Sequence, residues 1–307
     1  MATEIIHLEG LTKFYGRNRG VIDLSFSVYE GEVFGFLGPN GAGKTTTIRQ
    51  LMGLIRPDAG IARIRGLDCW HQAVAVKRFT GYLPGELSLD PDLTGRQILT
   101  YLAHLRGGVD ARYLAELIDR LGLDPTRRFR QYSHGNKQKV GLIQAFMHRP
   151  ALLILDEPTL GLDPLNQAEF ARLVEEVRAD GRTVFLSSHI LGEVERLCDR
   201  AAIIREGRLV RAGSVRDLRD IKQHYIDVAF AVPVDASELR LVAGVQQVQG
   251  TDGRVFQIIV QGDIDPLIKT IARYPVASLA SREPTLEEAF LRLYQPDEKE
   301  EGKSEQE

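Results

Sequence analysis

Eight residues, Gly38-Pro39-Asn40-Gly41-Ala42-Gly43-Lys44-Thr45, constrain this chain more than any other stretch. They fit the pattern G-x-x-x-x-G-K-[ST]. An apolar strand over 32–37 precedes them, and a helix over 44–53 follows. In that order, strand, glycine-rich loop and helix build a cradle for phosphate. The glycines let the backbone turn sharply and aim its N–H groups at phosphate oxygens. The helix that begins at Lys44 adds the positive end of its dipole. Lys44 supplies a point charge for the β- and γ-phosphates, and the Thr45 hydroxyl is a ligand for Mg²⁺. The loop and the adjoining Thr46 are therefore the expected nucleotide site, with ATP and Mg²⁺ as the expected cofactors.

A second stretch supplies acid chemistry. Leu152-Leu153-Ile154-Leu155 is wholly apolar, suited to a strand buried on both faces, and Asp156-Glu157 follow at its C-terminal end. Ligands of open α/β sheets sit at the carboxyl ends of strands. Asp156 can hold Mg²⁺ there, and Glu157 can polarise an attacking water as a general base. His189 closes another strand, over 183–188, on the same expected sheet edge, where it can reach the γ-phosphate. Tyr132-Ser133-His134-Gly135-Asn136 reads as a loop opening a helix. Ser133 is a natural N-cap, and Gly135 permits close approach of another molecule's phosphate.

Around these motifs, strands alternate with helices, the pattern of an α/β core with a parallel sheet. Strands over 4–8 and 21–28 alternate apolar and polar residues, as in a half-solvated antiparallel sheet. Helices are expected over 96–122, 137–148, 165–179 and 190–198. Strands over 201–205 and 208–212 complete this first domain, residues 1–220. From 221 the order is strand 225–232, helix 236–242, strands 245–249 and 254–260, helix 266–273, strand 276–281 and helix 285–294. That βαββαβ order suits a small ferredoxin-like α+β domain over 221–296. Thr251-Asp252-Gly253 is its hairpin signal. Residues 297–307 are charged and apolar-poor, an expected disordered tail.

Bulk composition narrows the partners. Net charge is −3, and the run Arg127-Arg128-Phe129-Arg130 stands alone, so nucleic acid is not an expected partner. Two distant cysteines, Cys69 and Cys198, make neither a disulfide framework nor a metal-ligand spacing, which fits a reducing cytoplasm. The first ten residues lack an apolar signal core, and no stretch approaches the ~18 apolar residues of a membrane span. Any membrane role then falls to a separate protein.

Taken together and in this order, the motifs over roughly 4–220 resemble the ATP-binding subunit of ABC transporters. The resemblance implies that 38–45 is the Walker A loop and 152–157 is Walker B, with Glu157 catalytic. It implies that Leu160-Gly161-Leu162-Asp163 is the D-loop, His189 the switch histidine, and Tyr15 the aromatic that stacks on adenine. Tyr132–Gln138 stands where the family has its signature Leu-Ser-Gly-Gly-Gln. Ser133 and Gly135 are kept, while His134 and Asn136 replace Gly and Gln. A family glutamine is absent near Gly81–Arg96: Gly85 holds its place, with Glu86 the candidate substitute. Two such subunits pair head-to-tail over ATP beside a separate integral-membrane permease, which 81–96 contacts. That places the chain on the cytoplasmic face of the cell membrane. Glu283–Phe290 looks like the tail of subunits of bacterial drug, antibiotic and lipid-type exporters. An importer subunit or a soluble ABC ATPase is the alternative, the latter usually carrying a coiled-coil insertion or tandem cassettes that this chain lacks.

Overall fold

Val33–Leu37 is buried at every position, so the strand that enters the phosphate loop has no solvated face. A strand of this kind needs neighbours on both edges and layers on both sides. The computed structural model, which describes residues 3–16, 18–218, 223–282 and 285, supplies them. The chain divides into two compact units, Met1–Ser214 and Val215–Glu307.

In the first unit, β1 (Glu4–Tyr15) and β2 (Asn18–Tyr29) form a long antiparallel pair that leads into β3 (Val33–Leu37) and α1 (Lys44–Leu51). β4 (Ala59–Ile64) and β5 (Leu67–Asp68) extend the pair into a four-stranded sheet of order β2-β1-β4-β5. Next come α2 (Ala73–Arg78), β6 (Thr80–Leu83), and the helices α3 (Gly95–Leu105), α4 (Ala111–Arg120) and α5 (His134–Phe146). Strands β7 (Leu152–Asp156), β8 (Thr183–Ser188), β9 (Arg200–Arg205) and β10 (Arg208–Ser214) alternate with α6 (Pro164–Ala179) and α7 (Leu191–Leu197). They assemble a six-stranded sheet of order β10-β9-β3-β8-β7-β6, parallel except at β10.

One core joins the two sheets. Phe26 of β2 lies 5.5 Å from both Phe34 and Phe36 of β3, and 6.4 Å from Phe185 of β8, ring centre to ring centre. Aromatic pairs at such separations contribute about 0.5–1.5 kcal/mol each beyond the area they bury. The register then sets the site. Leu37 stands opposite Ser188, and Asp156 opposite Ser187, so β3, β8 and β7 all end on one edge.

The second unit holds α8 (Val215–Leu218), β11 (Gln223–Phe230), α9 (Ala236–Arg240), β12 (Val245–Thr251), β13 (Val255–Gln261), α10 (Asp265–Ile271) and β14 (Val276–Arg282). Its sheet order is β12-β13-β11-β14, antiparallel throughout, the topology of a split βαβ pair. Asp252 and Gly253 both take positive φ, 58° and 62°, as a tight hairpin requires. The unit has its own core of residues such as Ile226, Val228, Leu239, Phe256 and Leu267. The expected helix over 285–294, the tail over 297–307 and the 220/221 boundary lie outside the described residues, Thr285 apart.

Two expectations need correction. The single helix over 96–122 is two helices, broken at Arg106–Asp110, where Gly107 and Gly108 take φ of 83° and 103°. The helix expected from 137 starts at His134, because Ser133 caps it by accepting a hydrogen bond from the Asn136 N–H at 3.3 Å.

Candidate functional site

The cradle is built from β3 outward. Gly43 precedes α1 with φ at 109°, and a Cβ there would sit 2.6 Å from Val21 Cγ1 and 2.7 Å from the Gly20 carbonyl oxygen. Only glycine fits. Lys44 is 6 % exposed, and its ammonium donates to the carbonyls of Gly38 at 2.6 Å and Pro39 at 3.2 Å. The loop thus wraps its own lysine. Pro39, Asn40, Gly41, Gly43, Lys44, Thr45 and Thr46 line one cleft with Tyr15, Gly20 and Glu157. Gly38 and Ala42 are buried beneath it, and the Ala42 carbonyl accepts from the Gly207 N–H. Tyr15 is 45 % exposed at the cleft mouth, its hydroxyl 3.5 Å from Thr46 Oγ1.

The acidic side of the cleft comes from β7 and β8. Asp156 is fully buried, and its Oδ1 accepts from the Ser187 hydroxyl at 2.6 Å. Its Oδ2 is buried without a hydrogen-bond partner among the described residues. Glu157 follows with φ at 49°, a left-handed conformation that a non-glycine residue adopts only when its surroundings enforce it. Enforcement comes from two sides. The Glu157 N–H donates to Ser187 Oγ at 3.0 Å, and Gln138 Nε2 donates to the carbonyls of Glu157 at 3.0 Å and Pro158 at 3.1 Å. The side chain then reaches back across the cleft. Its Oε2 lies 2.7 Å from His189 Nδ1, and its Oε1 lies 3.1 Å from Lys44 Nζ. The second contact has ion-pair distance without hydrogen-bond alignment.

Lys44, Glu157 and His189 therefore meet, with Thr45 lining the same cleft from α1 and Asp156 at the end of β7. Ser133, Gly135, Asn136 and Asp163 do not line this cleft. They gather instead around the loop after β7. A Cβ on Gly135 would lie 2.4 Å from the Gly161 carbonyl oxygen, and a Cβ on Gly161, with φ at 77°, would lie 2.4 Å from His134 Cδ2. The need for glycine at 135 thus has a cause inside the chain, in addition to any approach by another molecule. Asp163 caps α6, and the Asn166 backbone and side chain hold its carboxyl below the ordinary carboxylate range. Gly85 adjoins Asp156, where a Cβ would sit 3.0 Å from Oδ2, while Glu86 is exposed.

Sequence reasoning missed Ser187 and Gln138, although both hold Glu157 in place. Ser187 had a legible signal, since it is the last residue but one of the strand that leads to His189. Gln138 had none, because its partners are backbone carbonyls 19 and 20 residues away.

Comparison with known proteins agrees with this fold. Residues 21–160 match the ABC transporter family model. The daunorubicin resistance ATP-binding protein DrrA3 of Streptomyces coeruleorubidus is 35 % identical over 308 residues, 95 % of this chain and 96 % of that protein. The bacitracin transport ATP-binding protein BcrA of Bacillus licheniformis is 38 % identical over 226 residues, 73 % of this chain and 74 % of that one. A solved ATP-binding subunit of an ABC transporter superposes with a TM-score of 0.65 at 34 % identity, covering 70 % of this chain and 92 % of that chain. With its P-loop, its parallel core sheet and a near full-length relative, the chain belongs to the ABC transporter family, as an ATP-binding subunit that hydrolyses ATP to power transport.

Proposed function

We propose that two copies of this chain close head-to-tail over Mg-ATP and drive a separate membrane permease that exports a drug-, antibiotic- or lipid-like substrate. One observation carries the reading: Lys44, Glu157 and His189 converge on the cleft lined by the phosphate loop. Lys44 places its charge on the β- and γ-phosphates, backed by the N–H groups of 40–45 and by the α1 dipole. Glu157 takes the proton of the attacking water, and His189 Nδ1 fixes the carboxylate's direction through Oε2. Thr45 and Asp156 are the residues that would hold Mg²⁺. The buried, unpartnered Asp156 Oδ2 fits that role, because an unpaired carboxylate oxygen is costly unless a cation satisfies it. When bound, the ion neutralises charge developing on the phosphate oxygens. Tyr15 stacks on the base, while Ser133, Gly135, Asn136 and Asp163 face the nucleotide of the second copy.

Among the described residues, no helix is long and apolar enough to cross a membrane, so the permease is a separate chain in this reading. A groove lined by Met52, Val74, Tyr82, Leu102, Leu105 and Met147, together with the basic Lys77, Arg78 and Arg106, supports a permease contact. Val74 and Leu105 are 73 % and 65 % exposed there. Docking at this groove puts the subunit on the cytoplasmic face of the membrane. The names of the antibiotic-resistance relatives support the substrate class.

Glu157→Gln tests the reading. The variant should bind ATP, lose turnover by about 100-fold or more, and accumulate as an ATP-dependent dimer on size-exclusion chromatography. A variant that stays monomeric with ATP and turns over like wild type overturns it.

A further inference from the structure

Gln138 is 4 % exposed on α5 and is spent entirely on backbone. Both partners of its amide nitrogen, the carbonyls of Glu157 and Pro158, are acceptors, so the nitrogen has to face them. The Glu157 carbonyl also accepts from the Leu160 N–H at 3.2 Å. This carbonyl belongs to the residue at φ 49°, whose preceding N–H is tied to Ser187. Gln138 therefore grips the strained turn at its carbonyl, while β8 holds it at its N–H.

The same helix begins at His134, whose ring packs on Gly161, and Gly135 abuts the Gly161 carbonyl. The first turn of α5 and the loop 157–161 are thus joined at two places, four residues apart along each segment. A shift of the helix tip is transmitted to the turn that carries Glu157. We propose that Gln138 is a positioning residue for ATP hydrolysis: it fixes the backbone of Glu157 and ties that residue's aim to the 133–135 loop. The inference rests on Glu157 being the general base and on the role given above to 133–135.

Replacement by methionine keeps the length and removes both donors. Gln138→Met should lower kcat about 10- to 100-fold, the usual effect of a base misplaced by about 1 Å. The KM for ATP and the ATP-dependent dimer should stay within about twofold of wild type, because no cleft-lining residue changes. A generally damaged fold would move all three. Gln138→Glu is the second variant, for the case in which the methionine protein does not fold. It keeps the shape and sets a carboxylate against two carbonyls, so the same selective fall in kcat is expected. Glu157→Gln is measured alongside. If it abolishes turnover while both Gln138 variants keep wild-type kcat, the clamp is wrong and the base assignment stands. If Glu157→Gln itself turns over normally, the base assignment fails. Equal losses in kcat, KM and dimerisation by both Gln138 variants would overturn the positioning role in favour of a packing one.

Discussion

Glu157 illustrates how much backbone work one cleft side chain requires. Its left-handed φ costs about 1–3 kcal/mol of strain, and Ser187 and Gln138 hold it there. His148 shows the opposite economy, a titratable group held neutral. Both of its ring nitrogens are buried without a well-formed hydrogen bond. Burial, followed by the positive charge of Arg106, lowers its pKa to about 4, and weak polar contacts with the Thr80 and Gln144 backbone oppose this only in part. The folded pKa lies below the unfolded value near 6.5, so the unfolded chain binds the proton first. Stability contributed by the neutral ring is intact above about pH 6.5 and is lost as pH falls toward 4. The melting temperature of wild type should therefore drop more between pH 7 and pH 4.5 than that of His148→Gln. Parallel pH curves for the two proteins would remove His148 from the acid response.

At the scale of elements, end chemistry decides where helices start. Thr94 and Gln97 form a reciprocal capping box on α3, with bonds of 3.2 and 2.8 Å. Thr94→Ala should lower unfolding free energy by about 1 kcal/mol, measured by urea titration, with ATP affinity unchanged. A loss of ATP affinity instead would tie this cap to the cleft. Elements with strong local signals were legible in the sequence: β3 and β7 as unbroken apolar runs, α5 through Ser133, and the β12–β13 hairpin through Asp252-Gly253. Others were not. β4 and β6 are not unbroken apolar runs, and their pairing with β1 and β7 is a tertiary fact that local pattern does not carry. The break between α3 and α4 had a signal in Gly107-Gly108, which the apolar periodicity of the flanking turns outweighed. In the site, every residue of the Walker-type loops was legible because phosphate chemistry restricts residue type. Gln138 was not, because a side chain that serves only backbone can sit anywhere the fold brings it near.

For the molecule as a whole, the division between Ser214 and Val215 leaves each unit with its own core. The residues that line the cleft lie before residue 190, while β9 flanks the strand that enters it and Gly207 contacts the loop. A chain ending at Leu218 should bind ATP, whereas one ending at Arg182, which lacks β8 and β9, should not. Isothermal titration of both tests this, and ATP binding by the shorter chain would show that the loop needs no flanking strands. The sheet order adds a consequence for synthesis. β3 is made early but lies between β8 and β9, and its neighbour Gly31 bonds to Thr183, 152 residues later. At ~5–20 residues per second on the ribosome, the finished phosphate loop emerges roughly 7–30 s before the strands that will flank it. During that interval Val33–Leu37 is an apolar strand with both edges open, the kind of segment that chaperones shield and aggregates recruit. The most chemically specific part of the chain is thus made well before the strands that hold it in place.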